Sequence, residues 1–218
     1  RLQELGGEFV DATGRAFPDI AIDLVEELEI DRAACGIDWG IWSPAAAVLV
    51  LRLRDGRYYA ADERYAMDTN AHQFADMVRE LAASNDVSRC DFIIDQSTFN
   101  RTDGLVSVAE RFRERQVPVQ PATRDRLGSL ALLRQLMAER KLIISPACVS
   151  LLDELRGAEL VDGRGDFSGS DHAIDALRYA IAHLHQYPTR REVDTTPQSI
   201  WQHALRQARR QRAGVRYL

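Results

Sequence analysis

Short apolar runs and helically spaced apolar residues divide this chain into predicted strands and helices. In its first part, apolar runs predict buried strands at residues 33–38, 47–53 and 57–65. The Asp55-Gly56 pair before the third run is a strong hairpin signal. Apolar side chains at helical spacing then predict a helix over residues 71–83. The chain is thus expected to open with a three-stranded antiparallel meander followed by a helix.

Strands and helices alternate in the rest of the chain. Predicted strands lie at residues 91–95, 117–120 and 142–144. Predicted helices cover residues 105–116, 127–140, 147–155 and 170–185, with a glycine-rich loop at 157–169. A meander that leads into alternating strands and helices is typical of an α/β fold, in which a mixed sheet carries helices on both faces.

Both ends of the chain differ from this pattern. The first residues mix short apolar stretches with glycine and proline, and predict an irregular lead-in packed against the domain by Phe9, Val10 and Phe17. The last residues are basic, and one exposed helix is predicted over residues 197–213. The predicted organisation is a lead-in at residues 1–30, a domain at 31–187 and a tail at 188–218.

Composition and charge narrow the class of protein. The 45% hydrophobic and 28% charged residues are those of an ordinary soluble protein. No apolar run approaches the length of a membrane span and the first residues do not resemble a secretory signal, so we expect a cytosolic protein without a membrane partner. The net charge of −5 hides an asymmetry, because residues 188–218 carry seven arginines and only two acids. This tail is either a solvated helix or a contact for DNA or another protein.

Two acidic residues directly follow buried apolar runs. Asp38 lies between Gly36 and Gly40, and Asp95 comes just before a polar segment. A buried carboxylate needs a partner, and the flanking glycines leave room for a ligand or another backbone. Ligands of α/β sheets bind at the carboxyl ends of the strands, so both acids are expected at one site. The alternative for Asp38 is a strand-end residue hydrogen-bonded to the following turn.

The start of the last predicted helix carries a third polar group. Ser170 is expected to be its N-cap, with Asp171 in the first turn. Asp171 and Asp175 are four residues apart, and His172 and Asp175 are three apart, so the three side chains project from one side of the helix. The two acids repel each other at this spacing, which argues that a cation compensates them. His172 is equally compatible with a polar residue on the helix surface.

This set of candidate ligands is rich in oxygen. It contains at most one histidine, and the three cysteines of the chain lack the spacing of a zinc site. Hard divalent ions, Mg²⁺ or Mn²⁺, are therefore favoured. Two such ions can hold a phosphodiester between them when carboxylates are shared, and Asp95 is the candidate for the bridging ligand.

Three motifs, in this order, resemble the nuclease domain of tailed-phage terminase large subunits, a branch of the ribonuclease H-like superfamily. Residues 36–40, Gly-Ile-Asp-Trp-Gly, resemble the first metal-binding strand of that family, and residues 92–95 resemble its second acidic strand. Residues 171–179, Asp-His-Ala-Ile-Asp-Ala-Leu-Arg-Tyr, resemble its most specific motif. Residues 3–11 with Phe17 resemble the segment that joins the ATPase motor of these proteins to the nuclease.

The resemblance implies a ribonuclease H-like mixed sheet and an endonuclease that cuts concatemeric viral DNA during packaging in the bacterial host cytoplasm. Asp38, Asp95 and Asp175 carry over as catalytic metal ligands, with Asp171 and His172 as supplementary ones. The implied partners are double-stranded DNA, the ATPase motor of the same full-length protein, the portal and the small terminase subunit. Walker motifs are absent, so this chain is not expected to hydrolyse ATP.

Two basic residues stand where such a nuclease would contact phosphates. Arg124 and Arg126 precede a predicted helix and are candidates for DNA binding. The alternative is that both are solvated surface residues.

Other classes of protein share parts of this pattern. Transposases and junction resolvases have strand-end acids on the same fold, although the helix motif favours a terminase. Actin-like and sugar-kinase ATPases also carry Gly-Ile-Asp on their first strand, but they need a second phosphate-binding loop, and the sequence contains none. A non-catalytic docking module, whose arginine-rich tail binds another packaging component, is a third alternative.

Overall fold

A computed structural model of the chain describes residues 15–17, 19–25, 28–40, 43–87, 89–101, 106–161 and 166–187. The strands in this part of the chain are β1 (Ala21–Ile22), β2 (Ile30–Asp38), β3 (Ala45–Leu53), β4 (Tyr58–Ala66), β5 (Asp91–Ile94), β6 (Val119–Pro121), β7 (Leu142–Ile144), β8 (Glu159–Leu160) and β9 (Phe167–Ser168). The α-helices are α1 (Ala71–Ser84), α2 (Val108–Glu114), α3 (Arg126–Ala138), α4 (Val149–Gly157) and α5 (His172–His185), and a 3-10 turn covers Gln96–Phe99. None of the described helices is long and apolar enough to span a membrane.

Seven strands form one mixed sheet in the order β1-β7-β4-β3-β2-β5-β6. Strands β2, β3 and β4 are the predicted antiparallel meander, with Cys35 opposite Leu49 and Val48 opposite Glu63. Strands β5 and β6 continue the sheet in parallel beyond β2, and β7 and β1 continue it in parallel beyond β4. The predicted α/β class and mixed sheet are confirmed.

Helices cover both faces of this sheet, as predicted. All nine residues of β3 are buried, because alternate side chains enter a separate core on each side. One core joins Val48 and Val50 to helices α3, α4 and α5. The other joins Leu49 and Leu51 to helices α1 and α2. Asp38 belongs to the same face of β2 as Ala34, so it lies on the side that α5 covers.

The contact between α5 and β2 is made through backbone at Gly36. A Cβ atom on Gly36 would lie 1.8 Å from the carbonyl oxygen of Ala176 and 2.9 Å from the backbone nitrogen of Ala180. No side chain therefore fits at this position without moving the helix. Gly36, two residues before Asp38, thus makes room for another backbone. The sequence predicted either a ligand or another backbone at this position.

The lead-in is more regular than predicted. Ala16 and Phe17 are buried, and β1 adds a parallel strand beside β7, with Ala21 opposite Ile143. The sequence did not predict β1 because a two-residue strand has no period to detect. Phe9, Val10 and the predicted tail helix at residues 197–213 lie outside the described residues.

Other differences concern the ends of elements. Helix α2 begins at Val108 because Ser107 caps it, accepting a hydrogen bond from the backbone N–H of Glu110 at 3.2 Å. The predicted loop at residues 157–169 contains the small hairpin of β8 and β9. These differences leave the order of the large elements as predicted.

Replacing Gly36 by alanine should destabilise the fold by at least about 3 kcal/mol, the upper end of the usual cost of overpacking. The added methyl group would collide with the backbone of α5, which cannot move without disturbing the core. Urea unfolding of the metal-free protein measures the change. Gly157→Ala is the matched control, because a Cβ there meets nothing within 4 Å. Equal stability of the two variants would contradict the close packing of α5 on β2.

Candidate active site

The two strand-end acids lie side by side. Strands β2 and β5 are parallel neighbours with Ile37 opposite Ile94, so Asp38 and Asp95 follow at the same edge of the sheet. The backbone N–H of Asp95 donates to the carbonyl of Ile37 at 3.3 Å and extends this pairing by one bond. The carboxyl ends of the two strands therefore meet as their sequence pattern predicted.

Asp95 is held by hydrogen bonds from two directions. Its Oδ1 accepts from the backbone N–H of Ser97 at 2.8 Å, which caps the 3-10 turn. Its Oδ2 accepts from the hydroxyl of Tyr179 on α5 at 3.2 Å. Burial raises the pKa of Tyr179 well above its usual range, so the phenol stays protonated and acts as the donor. The orientation of this carboxylate is fixed by both the sheet and the helix.

Helix α5 begins at His172, and its cap differs from the predicted one. Asp171 occupies the N-cap position but makes no capping hydrogen bond through its side chain. The cap is Glu154 of α4, whose Oε2 accepts from the backbone N–H groups of Ala173 at 2.7 Å and Ile174 at 3.1 Å. Ser170, the predicted N-cap, instead donates its hydroxyl to Oε1 of Glu154 at 3.0 Å. A buried carboxylate thus satisfies the helix N-terminus and relieves Asp171 of the capping role.

His172 is paired with Asp38. Its Nδ1 lies 2.8 Å from Oδ2 of Asp38, and both side chains are about one-fifth exposed. This hydrogen bond raises the pKa of His172. Burial raises the pKa of Asp38 and outweighs the opposite effect of His172, while Asp175 and Asp95 raise it further. Asp38 is thus joined to the start of α5 through His172, while part of the turn that follows Asp38 lies outside the described residues.

Asp171 and Asp175 share an arginine. Arg126, the first residue of α3, donates from one nitrogen to both carboxylate oxygens of Asp175 at 2.8 and 2.6 Å, and from the other to Oδ2 of Asp171 at 2.7 Å. Arg178 donates to Oδ1 of Asp175 at 3.1 Å and to the hydroxyl of Ser129 at 3.0 Å. The cation expected from the like-charged pair is thus, in this structure, a guanidinium group.

The two candidate DNA-binding arginines differ in their surroundings. Arg124 is exposed and donates to the side chain of Gln96, next to Asp95. Arg126 is 28% exposed and belongs to the ion-pair cluster. The structure thus places Arg126 in ion pairs with two acids of the site rather than in solvent alone. Sequence alone does not reveal this position, because it does not show that the start of α3 faces the start of α5.

The donor set at this edge fits a hard divalent cation. Four carboxylates and one imidazole converge from β2, β5 and α5, and the described residues contribute no thiol to the cluster. Within the described part of the chain, no three such side chains are arranged to hold an ion as they stand. Arg126 and His172 contact carboxylate oxygens of Asp171, Asp175 and Asp38. Clustered oxygen donors of this kind are the ligands that Mg²⁺ and Mn²⁺ prefer.

Comparison with models of protein families identifies the family of the domain that contains this cluster. Residues 35–184 match the model of the terminase RNaseH-like domain, which spans from β2 to α5 and contains every acid of the site. This chain is a member of the terminase RNaseH-like domain family. Comparison with curated proteins gives no match.

Large terminases are among the solved structures of similar fold. The nuclease domain of the P22 large terminase is 18% identical with a TM-score of 0.67, over 84% of this chain and 98% of that one. The large terminase of a thermophilic bacteriophage is 15% identical with a TM-score of 0.65, over 80% of this chain and 44% of that one. The large terminase nuclease domain of bacteriophage SPP1, with bound Mn, is 21% identical with a TM-score of 0.57, over 77% of this chain and 97% of that one. At these identities the likeness concerns the fold, and it confirms the ribonuclease H-like sheet.

Several residues of this terminase domain that shape the site were not recognised from the sequence. Arg178 and Tyr179 belong to the quoted motif, but only the structure shows that they contact Asp175 and Asp95. The sequence gives one weak signal for Glu154, a charged residue on the core side of an otherwise ordinary amphipathic helix.

Glu154→Gln should lower the free energy of unfolding by about 1–3 kcal/mol, the cost of leaving buried partners unsatisfied. An amide has one acceptor oxygen, whereas Glu154 accepts from two backbone N–H groups and from the hydroxyls of Tyr65 and Ser170. The matched control is Asp153→Asn on the exposed side of the same helix, which should change stability by less than about 0.5 kcal/mol. Equal effects of the two substitutions in urea unfolding would show that Glu154 is not the cap of α5.

The free energy of unfolding that His172 contributes should decrease as pH rises. Its pKa is raised in the folded protein, so its contribution is fully present below the unfolded pKa of about 6.5 and is lost as pH rises through the folded value. The difference in unfolding free energy between the parent protein and His172→Gln, measured in EDTA, should therefore shrink as pH rises above about 6.5. A difference that grows with pH would contradict the pairing with Asp38.

Proposed function

We propose that this terminase domain is a divalent-metal-dependent endonuclease that cuts double-stranded DNA during packaging of a viral genome. The observation that carries the proposal is the convergence of Asp38, Asp95 and Asp175 from two parallel strands and one helix onto one sheet edge. Membership of the terminase RNaseH-like family supports the class of reaction. The solved relative with bound Mn supports the class of cation.

Asp38, Asp95 and Asp175 are the proposed principal ligands of Mg²⁺ or Mn²⁺, with Asp171 and His172 as supplementary ones. A pair of such ions would supply an activated water and stabilise the leaving oxygen of a phosphodiester. Shared carboxylates are needed to hold two ions, and Asp95, which is bonded to both β2 and α5, is suited to the bridging position.

The protein residues around these ligands have separate tasks in this proposal. The protonated hydroxyl of Tyr179 and the backbone of Ser97 hold the Asp95 carboxylate in one orientation. Arg178, which is buried and also bound to Ser129, holds Asp175 from the core side. Preorganised ligands bind a cation more tightly because little conformational freedom is lost on binding.

DNA and protein partners belong to the proposal as well. Arg124 is exposed beside the acid cluster, where it would contact a phosphate of bound DNA, and the basic residues beyond position 188 would add further phosphate contacts. The structural match covers 44% of the large terminase from the thermophilic bacteriophage, so an ATPase motor in the same full-length protein is the expected partner. The portal, the small terminase subunit and a location in the host cytoplasm remain expectations from the family.

A non-catalytic docking module is the second candidate. The observation that favours it is that Arg126 and His172 already neutralise three of the acids. In that case the cluster would be a structural ion-pair network rather than a metal site. The two candidates differ in whether the acids are needed for cutting.

We expect the purified 218-residue chain to nick and linearise supercoiled plasmid in Mn²⁺ and to be inactive in EDTA. Asp95→Asn and Asp175→Asn should each lower the cutting rate at least about a hundredfold, because even residues that only support metal ligands have effects of about 10- to 100-fold. Gel analysis of nicked and linear DNA measures the rates.

Asp91→Asn is the matched control for Asp95→Asn. It removes the same charge at the opposite end of the same strand, where Asp91 pairs with His183, and should leave the rate unchanged. Cutting that survives both test substitutions would exclude the proposed ligands. Absence of cutting in all proteins that show native circular dichroism, at low salt and high protein concentration, would favour the docking module.

A further inference from the structure

We infer that Arg126 is an exchangeable internal cation, which a divalent metal ion must displace before it can bind Asp171 and Asp175. The inference rests on the proposed metal-dependent function and adds a residue that competes with the metal.

Arg126 occupies the oxygens that a metal ion would need. Both carboxylate oxygens of Asp175 lie within 2.8 Å of one guanidinium nitrogen, and Oδ2 of Asp171 lies 2.7 Å from the other. Three of the four carboxylate oxygens of this pair are thus in contact with the guanidinium group. Arg178 also touches Asp175, at Oδ1 and 3.1 Å, whereas Arg126 contacts both oxygens at shorter distances. Arg126 is therefore the cation that competes with a divalent ion for this carboxylate, because like charges on one ligand repel each other.

The acids need a positive charge whether or not a metal is bound. Asp171 and Asp175 are one helical turn apart, and Asp38 lies close enough for Asp175 to raise its pKa. Partly buried like charges without compensation would destabilise the start of α5. Arg126 supplies the compensating charge in the metal-free protein. Its removal from the carboxylates becomes favourable only when another cation takes its place.

Arg126 can leave its carboxylates more easily than Arg178 can. Arg178 is 3% exposed, lies with its guanidinium 4.5 Å from the ring centre of Tyr179, and has a second bond to Ser129. The side chain of Arg126 is 28% exposed and belongs to the first residue of α3; its guanidinium lies 6.0 Å from the ring centre of Phe167 and 3.9 Å from a carboxylate oxygen of the exposed Asp166. These outer contacts are longer than those of Arg178, so Arg126 can leave the two carboxylates with less disturbance of the core.

The test is calorimetric titration of Mn²⁺ into the metal-free 218-residue chain and into Arg126→Gln. Without the competing guanidinium, the variant should bind Mn²⁺ more tightly by on the order of tenfold, which corresponds to about 1.4 kcal/mol. Arg140→Gln is the matched control. It removes the same charge from an exposed position just beyond the other end of α3 and should leave the affinity unchanged.

Thermal unfolding gives a second readout that does not depend on cutting. In EDTA the variant Arg126→Gln should melt below the parent protein because the acids lose their cation, and saturating Mn²⁺ should raise its melting temperature more than that of the parent. Should Arg126→Gln fail to fold in EDTA, Arg126→Lys replaces it. Lysine keeps the charge but cannot form the two-pronged contact, so the Mn²⁺ affinity of this variant should lie above that of the parent.

The outcomes separate this inference from the proposed function. If the parent binds Mn²⁺ and the variants bind it equally or more weakly, the exchange of cations is wrong while the metal-dependent function stands. If neither the parent nor any variant binds Mn²⁺, both the inference and the proposed metal site are wrong. Tighter binding by Arg140→Gln to the same degree would reduce the effect to overall charge and would also overturn the inference.

Discussion

The direct packing of helix α5 against strand β2 is the constraint on which the site depends. At Gly36 the helix backbone occupies the volume of a side chain, so the axis of α5 runs as near to the sheet as the main chains allow. Asp38 comes two residues further along the same face of β2, and it therefore meets the first turn of α5 at hydrogen-bonding distance. With a larger residue at position 36, His172 and Asp175 would move away from Asp38 and Asp95 together. Packing in the core thus sets distances between charges at the edge of the sheet.

Electrostatics then determines how such a cluster is tolerated. Each acid of the site has a cationic or protonated partner from another element: His172 for Asp38, Tyr179 for Asp95, and Arg126 for Asp171 and Asp175. The helix start itself is satisfied by Glu154 rather than by its own first residues. The side chain of Asp171 therefore does not have to cap α5. Side chains neutralise the negative groups of the cluster. Arg178 is buried in the core, whereas Arg126 is partly exposed.

Sequence reasoning predicted the fold and the meeting of Asp38, Asp95 and Asp175 at one sheet edge for identifiable reasons. Strands β2 to β5 and the long helices have apolar patterns of sufficient length, and acids after buried strands are rare enough to be informative. It failed for β1, which is too short for a pattern, and for Ser170, whose capping role was taken by Glu154, sixteen residues earlier in the chain. The ion pair between Arg126 and Asp175 joins residues 49 positions apart. Contacts of this kind depend on how α3 and α5 pack against each other. The periodicity of apolar residues within one helix does not contain this information.

The short outer strands of the sheet have a consequence for self-association. Strand β3, apolar and buried along its whole length, is the type of segment that pairs readily with other chains when it is accessible. It lies in the middle of the sheet, and the two described edge strands, β1 and β6, have two and three residues. Strand β6 also ends at Pro121, which has no N–H group to offer a further strand. Edge-to-edge pairing of folded molecules is thereby disfavoured. The domain should therefore aggregate less at high concentration than its apolar central strand alone would suggest.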